Sequence, residues 1–209
     1  MIDLYTWTTP NGRKVSIALE EMELPYEAHA IDIGQGEQHA PDFLEISPNN
    51  KIPAIHDRDN GLKLMESGAI LIYLAEKSGR FLPTAEPART RVIEWLMWQM
   101  AGFGPMLGQA HVFLKFNPGK APFAEERLRK EVDRLYGVLD TQLAREGHVS
   151  GEYSIADMAI WPWVSRYEWH GADIEAYPEV KRWYLEIARR EAVQKGYHVP
   201  KFTQDIPMP

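Results

Sequence analysis

The sequence has no cysteine among its 209 residues. Without a thiol, the chain cannot supply a cysteine nucleophile, a CxxC redox pair, a zinc–thiolate site or an iron–sulfur cluster. The lack of cysteine gives no information on the redox state of the compartment in which the protein works. These exclusions concern the chemistry of the protein's own atoms.

An excess of basic residues is also lacking. Lys and Arg number 23 against 30 Asp and Glu, so the formal net charge is −7. Binding to a polyanion depends on clustered Lys and Arg side chains that release counterions. We therefore expect no nucleic-acid partner.

Long hydrophobic runs and metal-ligand spacings are absent as well. No apolar run approaches the roughly 18 residues of a membrane span, and the first residues show no basic segment followed by an apolar core. This predicts a cytoplasmic protein with no membrane partner. The seven histidines include no pair at metal-ligand spacing, so we expect no metal site.

Hydrophobic periodicity divides the chain into two parts. The first part alternates strand and helix patterns in the order βαβαββα, whereas helical spacing dominates after Phe81. Strands are predicted at 2–7, 26–33, 52–56 and 62–65, a short helix at 43–46, and an apolar helical stripe at 128, 132, 135, 139 and 143. With Gly79, Pro83 and Pro87 at the boundary, we predict an α/β domain at 1–80, a linker at 81–87 and an all-helical domain at 88–209.

Ile52-Pro53 lies at the start of the third predicted strand. Proline cannot donate to a strand ladder, so it belongs at a strand start or edge. The bond is either trans, as a plain start to the strand, or cis, which would turn the Ile52 backbone outward to pair with an extended peptide. The motif alone favours the trans form.

Glu66-Ser67-Gly68 precedes an apolar helix. One interpretation is structural, with Ser67 as the N-cap. The other is a ligand site, in which the helix N-terminus holds a carboxylate and Glu66 an ammonium group, the two charges of an α-amino acid. The motif alone favours the cap.

The segment Thr8-Thr9-Pro10-Asn11-Gly12 connects the first strand to the first helix, where open α/β sheets bind ligands. It is either a turn followed by an N-cap, which the motif alone favours, or a set of hydroxyl and amide donors for an anion such as a thiolate.

Together and in this order, the motifs resemble those of the glutathione transferase superfamily. The shared segments are Thr-Pro-Asn-Gly at 9–12, Asn-Lys-Ile-Pro-Ala at 50–54, Glu-Ser-Gly-Ala-Ile at 66–70 and the capping box Ser-Ile-Ala-Asp at 154–157. The segments at 9–12, 47–51 and 104–109 are most similar to the nu class. The resemblance implies a thioredoxin-like N-terminal domain, a linker and an all-helical C-terminal domain.

The resemblance also implies a glutathione site in the N-terminal domain. Glu66 and Ser67 would hold the γ-glutamyl group. The Ile52 backbone, beside a cis-Pro53, would hold the cysteinyl unit. Glutathione would be a co-substrate, and the resemblance implies no metal.

Five further residues belong to the implied site. Gln38 and Lys51 would approach the glycyl end or the backbone of the peptide. Thr9 and Asn11 would lie near the sulfur and act as the catalytic residues. Arg127 would reach a bound glutathione, either in its own subunit or across the interface of a homodimer.

The implied activity is the reduction of small disulfides by the thiolate of bound glutathione. Several transferase classes place a tyrosine or serine at the sulfur, whereas Tyr5 lies inside the first predicted strand and is expected to pack. One alternative is a glutathione transferase or peroxidase acting on electrophiles or organic hydroperoxides. The other is a non-enzymatic binding or regulatory protein on the same fold, against which the intact head-group motif weighs.

Overall fold

A four-stranded sheet forms the centre of the N-terminal part of the computed structural model, which describes residues 1–209. Strand β1 (Ile2–Thr6) lies between β2 (Tyr26–Ala30) and β3 (Ala54–Asp57), and β4 (Leu62–Met65) forms an edge. The β1–β2 pair is parallel, and the β1–β3 and β3–β4 pairs are antiparallel. The strand order is β2-β1-β3-β4.

Three helices accompany the sheet: α1 (Pro10–Glu21), α2 (Pro41–Leu44) and α3 (Ser67–Ser78). The resulting order βαβαββα confirms the thioredoxin-like fold that the sequence predicts. The buried residues of α3, such as Leu74, lie on one face because of their helical spacing, whereas residues 12–19 of α1 are all buried.

Three of the four predicted strands and the short helix have other bounds in the structure: the first strand ends at Thr6 instead of residue 7, and the third spans Ala54–Asp57 instead of 52–56. The second strand ends at Ala30 instead of residue 33, because Asp32 starts a turn. The Asp32 backbone N–H donates to Glu37 Oε2 at 2.6 Å, and Asp32 Oδ1 accepts from the Gly34 N–H at 2.9 Å. The short helix begins at Pro41 instead of residue 43, because proline is well suited to the first position of a helix.

The remaining chain is helical, as predicted. Its helices are α4 (Ala88–Trp98), α5 (Gly104–Ala110), α6 (Pro122–Glu146), α7 (Ile155–Val164), α8 (Tyr167–His170), α9 (Pro178–Ala188) and α10 (Glu191–Tyr197). Two π-helical segments, Gln99–Phe103 and His111–Phe116, flank α5. The apolar stripe of α6 is buried, and Ser154 and Asp157 form the capping box at the start of α7, as the sequence predicts.

The chain forms two compact units. The first comprises Met1–Leu82 and Arg189–Ile206, and the second comprises Pro83–Ala188 and Pro207–Pro209. Helix α10 therefore belongs to the unit that contains the sheet. None of the helices combines the length and the apolar character that a membrane crossing requires.

Candidate functional site

The strand register brings three of the predicted motifs to one edge of the sheet. Tyr5, near the end of β1, pairs with Ala54 at the start of β3. Ala54 pairs in turn with Met65 at the end of β4. The segments that continue from these residues, 7–9, 52–53 and 66–67, therefore emerge side by side within the first unit.

Thr9 forms the N-cap of α1. Its Oγ1 accepts a hydrogen bond from the Gly12 N–H at 3.1 Å, which confirms the cap interpretation of this segment. A hydroxyl that accepts one bond still has its own hydrogen to donate, and Thr9 is only half-buried. The same side chain can therefore cap the helix and donate to a ligand.

Asn11 and Gly12 continue this first turn of α1. Asn11 is half-buried. A Cβ atom on Gly12 would lie 2.2 Å from the Trp7 carbonyl oxygen, so only glycine allows the helix to start this close to the loop. The N–H groups at the start of a helix have no partner within it, and the positive end of the helix dipole favours an anion here.

The peptide bond between Ile52 and Pro53 is cis. The trans form that the motif alone favours is therefore wrong, and the cis form that the resemblance implies is confirmed. Ile52 is half-buried and precedes β3, so its backbone polar groups lie outside the strand ladder. On the preceding loop, the Ser47 hydroxyl donates to the Lys51 carbonyl oxygen at 2.8 Å.

The start of α3 differs from the prediction that Ser67 caps the helix. The N-cap is the exposed Glu66, at φ 71° and ψ 111°, and its side chain makes no capping bond. The Ser67 hydroxyl oxygen instead accepts from Lys14 Nζ at 3.2 Å. The cap prediction is wrong because the helix begins at Ser67 itself, one residue earlier than a Ser67 cap requires, and the hydroxyl oxygen accepts from a lysine of α1.

Lys14 is a buried residue of this region that the sequence interpretation missed. Its side chain is 1% exposed, on the face of α1 that also carries the buried Ile17 and Ala18. Burial lowers the pKa of Lys14 to about 7, an effect that the negative charge of Glu66 opposes. The three- and four-residue spacing from Lys14 to Ile17 and Ala18 was a signal that could have revealed it.

The other predicted site residues lie outside these three segments. Gln38 is half-buried in the 3₁₀ helix Glu37–His39, and Lys51 is exposed next to Ile52. Arg127 lies in the second unit, on the exposed face of α6, where it lines a surface cavity with Phe123 and Lys130. The sheet edge thus gathers Thr9, Ile52, Pro53, Glu66 and Ser67, and the Arg127 role stays a prediction.

Tyr5 packs, as expected from its place in the first strand. Its ring stacks on His29 at a centroid distance of 4.9 Å and contacts Phe43 at 6.2 Å. Burial raises its pKa, and the Asp3 carboxylate adds to that effect. The ring contacts thus give Tyr5 the packing role that its place in the strand predicts.

Asp3, Glu27 and His29 bring three potential metal ligands within 4.8 Å of one another on the sheet. Cationic partners account for this cluster. Arg58 Nε donates to Asp3 Oδ2 at 2.7 Å, and Arg58 also binds Glu27. The hydrogen bond from Arg58 lowers the pKa of Asp3 to about 2, so the carboxylate is held as half of an ion pair.

Known proteins with similar sequences and structures place this chain in one family. Residues 1–76 match the glutathione S-transferase N-terminal domain, and residues 103–191 match the glutathione S-transferase C-terminal domain. Disulfide-bond oxidoreductase YfcG of Escherichia coli is 50% identical over 198 residues, covering 92% of this chain and 92% of that protein.

Two crystal structures are similar over nearly the full length. A glutathione transferase from Pseudomonas putida, with one glutathione disulfide bound per subunit, is 44% identical with a TM-score of 0.90, and the match covers 95% of this chain and 91% of that one. A glutathione transferase family member from Pseudomonas fluorescens, with two glutathione bound, is 46% identical with a TM-score of 0.88. That match covers 95% of this chain and 93% of the other. The chain belongs to the glutathione S-transferase family.

Proposed function

We propose that the protein is a glutathione-dependent disulfide reductase. One observation carries the proposal: in a chain without cysteine, the Thr9 hydroxyl, at the N-terminus of α1, shares a sheet edge with the start of α3. The relative named disulfide-bond oxidoreductase and the neighbours that bind glutathione or its disulfide support it. The thiol would come from glutathione, because the protein has none.

In this proposal two adjacent residues at the start of α3 bind the two charged groups of the γ-glutamyl unit. Glu66 binds its ammonium group, and Ser67 with the N–H groups of the helix start binds its α-carboxylate. The Ile52 backbone, next to cis-Pro53, pairs with the cysteinyl unit. Gln38 and Lys51 bind the glycyl end of the peptide.

The proposed catalytic groups are Thr9 and Asn11. Both would donate hydrogen bonds to the glutathione sulfur, and bonds to the charged form lower the pKa of a thiol. A hydrogen bond to a charged group contributes about 1.5–3 kcal/mol, and one pKa unit corresponds to about 1.4 kcal/mol. One such donor therefore lowers a thiol pKa near 8.5 by about one to two units, to the vicinity of neutral pH.

The reaction is a pair of thiol–disulfide exchanges. The bound thiolate attacks one sulfur of the substrate disulfide, so a glutathione–substrate disulfide forms and a substrate thiolate leaves and takes a proton. A second glutathione thiolate attacks the glutathione sulfur of this mixed disulfide, releasing the second substrate thiol and glutathione disulfide. The sum oxidises two glutathiones and reduces one disulfide, and the protein contributes orientation and electrostatics.

A comparison of two substrates tests this function. We expect a higher kcat/KM for 2-hydroxyethyl disulfide than for 1-chloro-2,4-dinitrobenzene at equal glutathione concentration, because the sulfur faces no tyrosine. A higher value for the haloaromatic substrate would instead favour the transferase alternative. Activity with neither substrate, together with no glutathione binding, would favour a non-enzymatic protein.

We also propose that the protein is a cytoplasmic nu-class enzyme that works as a homodimer. Phe123 is 83% exposed, lies one turn before Arg127 on α6 and lines the same surface cavity, so a partner chain that covers this face would bury both side chains. Light scattering should give the mass of two chains. A monomer would leave Arg127 without the proposed role across the interface.

A further inference from the structure

Lys14 is a buried cation to which the proposed chemistry gives no role. It lies on α1, three residues after Asn11, and its side chain is 1% exposed. Its ammonium group donates to Ser67 Oγ at 3.2 Å. Burying a charged group costs free energy unless other groups compensate the lost hydration. An apolar side chain at this position would avoid that cost.

The charge of Lys14 is held at the start of α3. Ser67 is the first residue of that helix and is itself buried. The carboxylate of Glu66, the preceding residue, is the charged group that favours the ammonium form, and burial opposes it by lowering the pKa of Lys14 to about 7. In its ammonium form Lys14 adds its positive charge to the partial charge that the helix dipole places at the same point, and a bound carboxylate favours that form.

We propose that Lys14 is a positioning residue of the glutathione site, whose ammonium charge, held through Ser67, strengthens the binding of the γ-glutamyl α-carboxylate. This inference rests on the proposed function. An attraction between two charges is strongest where little water screens it, and Lys14 meets this condition. The ammonium acts through Ser67 and the helix start and is not itself a catalytic group.

The test compares two ligands that differ only in the α-carboxylate. S-methylglutathione carries it, and 4-aminobutanoyl-S-methylcysteinylglycine lacks it, while both retain the amine and the remaining peptide. Isothermal titration calorimetry would give the dissociation constants of both for the wild type, for Lys14→Met and for Lys63→Met. The last variant is the matched control, because Lys63 is an exposed lysine of the same unit that pairs with Glu45 at 3.6 Å.

We expect Lys14→Met to raise the dissociation constant of S-methylglutathione at least tenfold and that of the analogue less than twofold. Lys63→Met should change both less than twofold. A loss confined to S-methylglutathione separates a positioning role from a purely structural one, because a general loss of stability from the missing bond to Ser67 would weaken both ligands alike. If Lys14→Met does not fold, Lys14→Gln serves under the same criteria.

Equal losses for the two ligands, or no loss for S-methylglutathione, would overturn the role of Lys14. A wild-type protein that binds neither ligand would contradict the proposed function itself. The two failures are therefore distinct.

Discussion

At the scale of single residues, Thr9 combines a structural role with a proposed chemical one. Its hydroxyl oxygen caps α1 through the Gly12 N–H, and its hydrogen is available for a thiolate. A substitution therefore affects both stability and catalysis, and the two effects must be measured separately.

Thr9→Val is expected to lower the rate of disulfide reduction at pH 7 about 3- to 10-fold, because losing one hydrogen bond raises the sulfur pKa by about one to two units and reduces the thiolate fraction, an effect that the higher nucleophilicity of the remaining thiolate partly offsets. Thr9→Ser keeps the hydroxyl and is expected to keep most of the activity. Urea unfolding should show a loss of about 1 kcal/mol for Thr9→Val from the missing cap. Full activity of Thr9→Val would contradict the assignment of Thr9 as a sulfur donor.

Two buried histidines give the second unit a dependence on pH. His111 and His170 stack at a centroid distance of 4.8 Å, and the Nε2 atoms of both are buried without a hydrogen-bond partner. Burial lowers the pKa of His111 to about 4, and Arg166 adds to the effect. Burial also holds the pKa of His170 well below its usual value, with further contributions from His111 and Arg166.

Because these folded-state pKa values lie below the unfolded value near 6.5, the unfolded chain binds more protons at acid pH. The free energy of unfolding should therefore be highest above pH 6.5 and fall as the pH decreases from 6.5 to 4, by about 2–3 kcal/mol for His111 alone. His111→Phe keeps the ring stack and should reduce this fall, measured by urea unfolding at pH 7.5 and pH 5. The exposed His39→Gln is the control, and an equal fall in His111→Phe would contradict the explanation.

At the scale of elements, the contact between α1 and α10 depends on one small residue. A Cβ atom on Gly196 would lie 2.6 Å from the Ile17 Cα atom, so α10 approaches the α1 backbone as only glycine permits. The Ser16 hydroxyl donates to the Gly196 carbonyl oxygen at 2.7 Å and joins the two helices. This contact fixes α1, the helix whose first turn carries Thr9.

Gly196→Ala is expected to lower the free energy of unfolding by about 1–3 kcal/mol, because the added methyl group forces the two helices apart. Gly137→Ala on α6 is the matched control, since a Cβ atom there meets nothing within 4 Å. That control should stabilise the protein by up to about 1 kcal/mol through helix propensity. Urea unfolding of both variants checks the pair, and equal effects would show that close approach is not the cause.

The elements themselves could be predicted from the sequence, because strand and helix periodicity is a local property. The start of α3 could not, since the bond between Lys14 and Ser67 joins residues 53 positions apart and competes with the cap that local rules favour. The cis bond at Ile52-Pro53 was likewise outside local rules, and only the resemblance implied it. The sheet edge that gathers the site could be predicted once the strand order was known.

At the scale of the whole molecule, one segment packs with a part of the chain that is distant from it in sequence. The C-terminal segment Arg189–Ile206 belongs to the compact unit of the sheet, although it follows the helical unit in sequence. Arg13 on α1 holds this segment by donating from Nε to the Tyr197 carbonyl oxygen at 3.0 Å. The division into 1–80, 81–87 and 88–209 follows the order of strand and helix periodicity along the chain. It stays a prediction of the domain boundaries.

The absence of cysteine gives the proposed disulfide reduction by bound glutathione a directly measurable consequence. If every exchange uses glutathione, no disulfide can join the protein to either substrate, and the protein mass must stay constant during turnover. The most direct measurement is the rate of 2-hydroxyethyl disulfide reduction against glutathione concentration, followed through glutathione disulfide formation. We expect a rate that exceeds that of the uncatalysed reaction and saturates with glutathione, with one glutathione disulfide formed for each disulfide reduced. A rate equal to the uncatalysed one at every glutathione concentration would contradict reduction by bound glutathione.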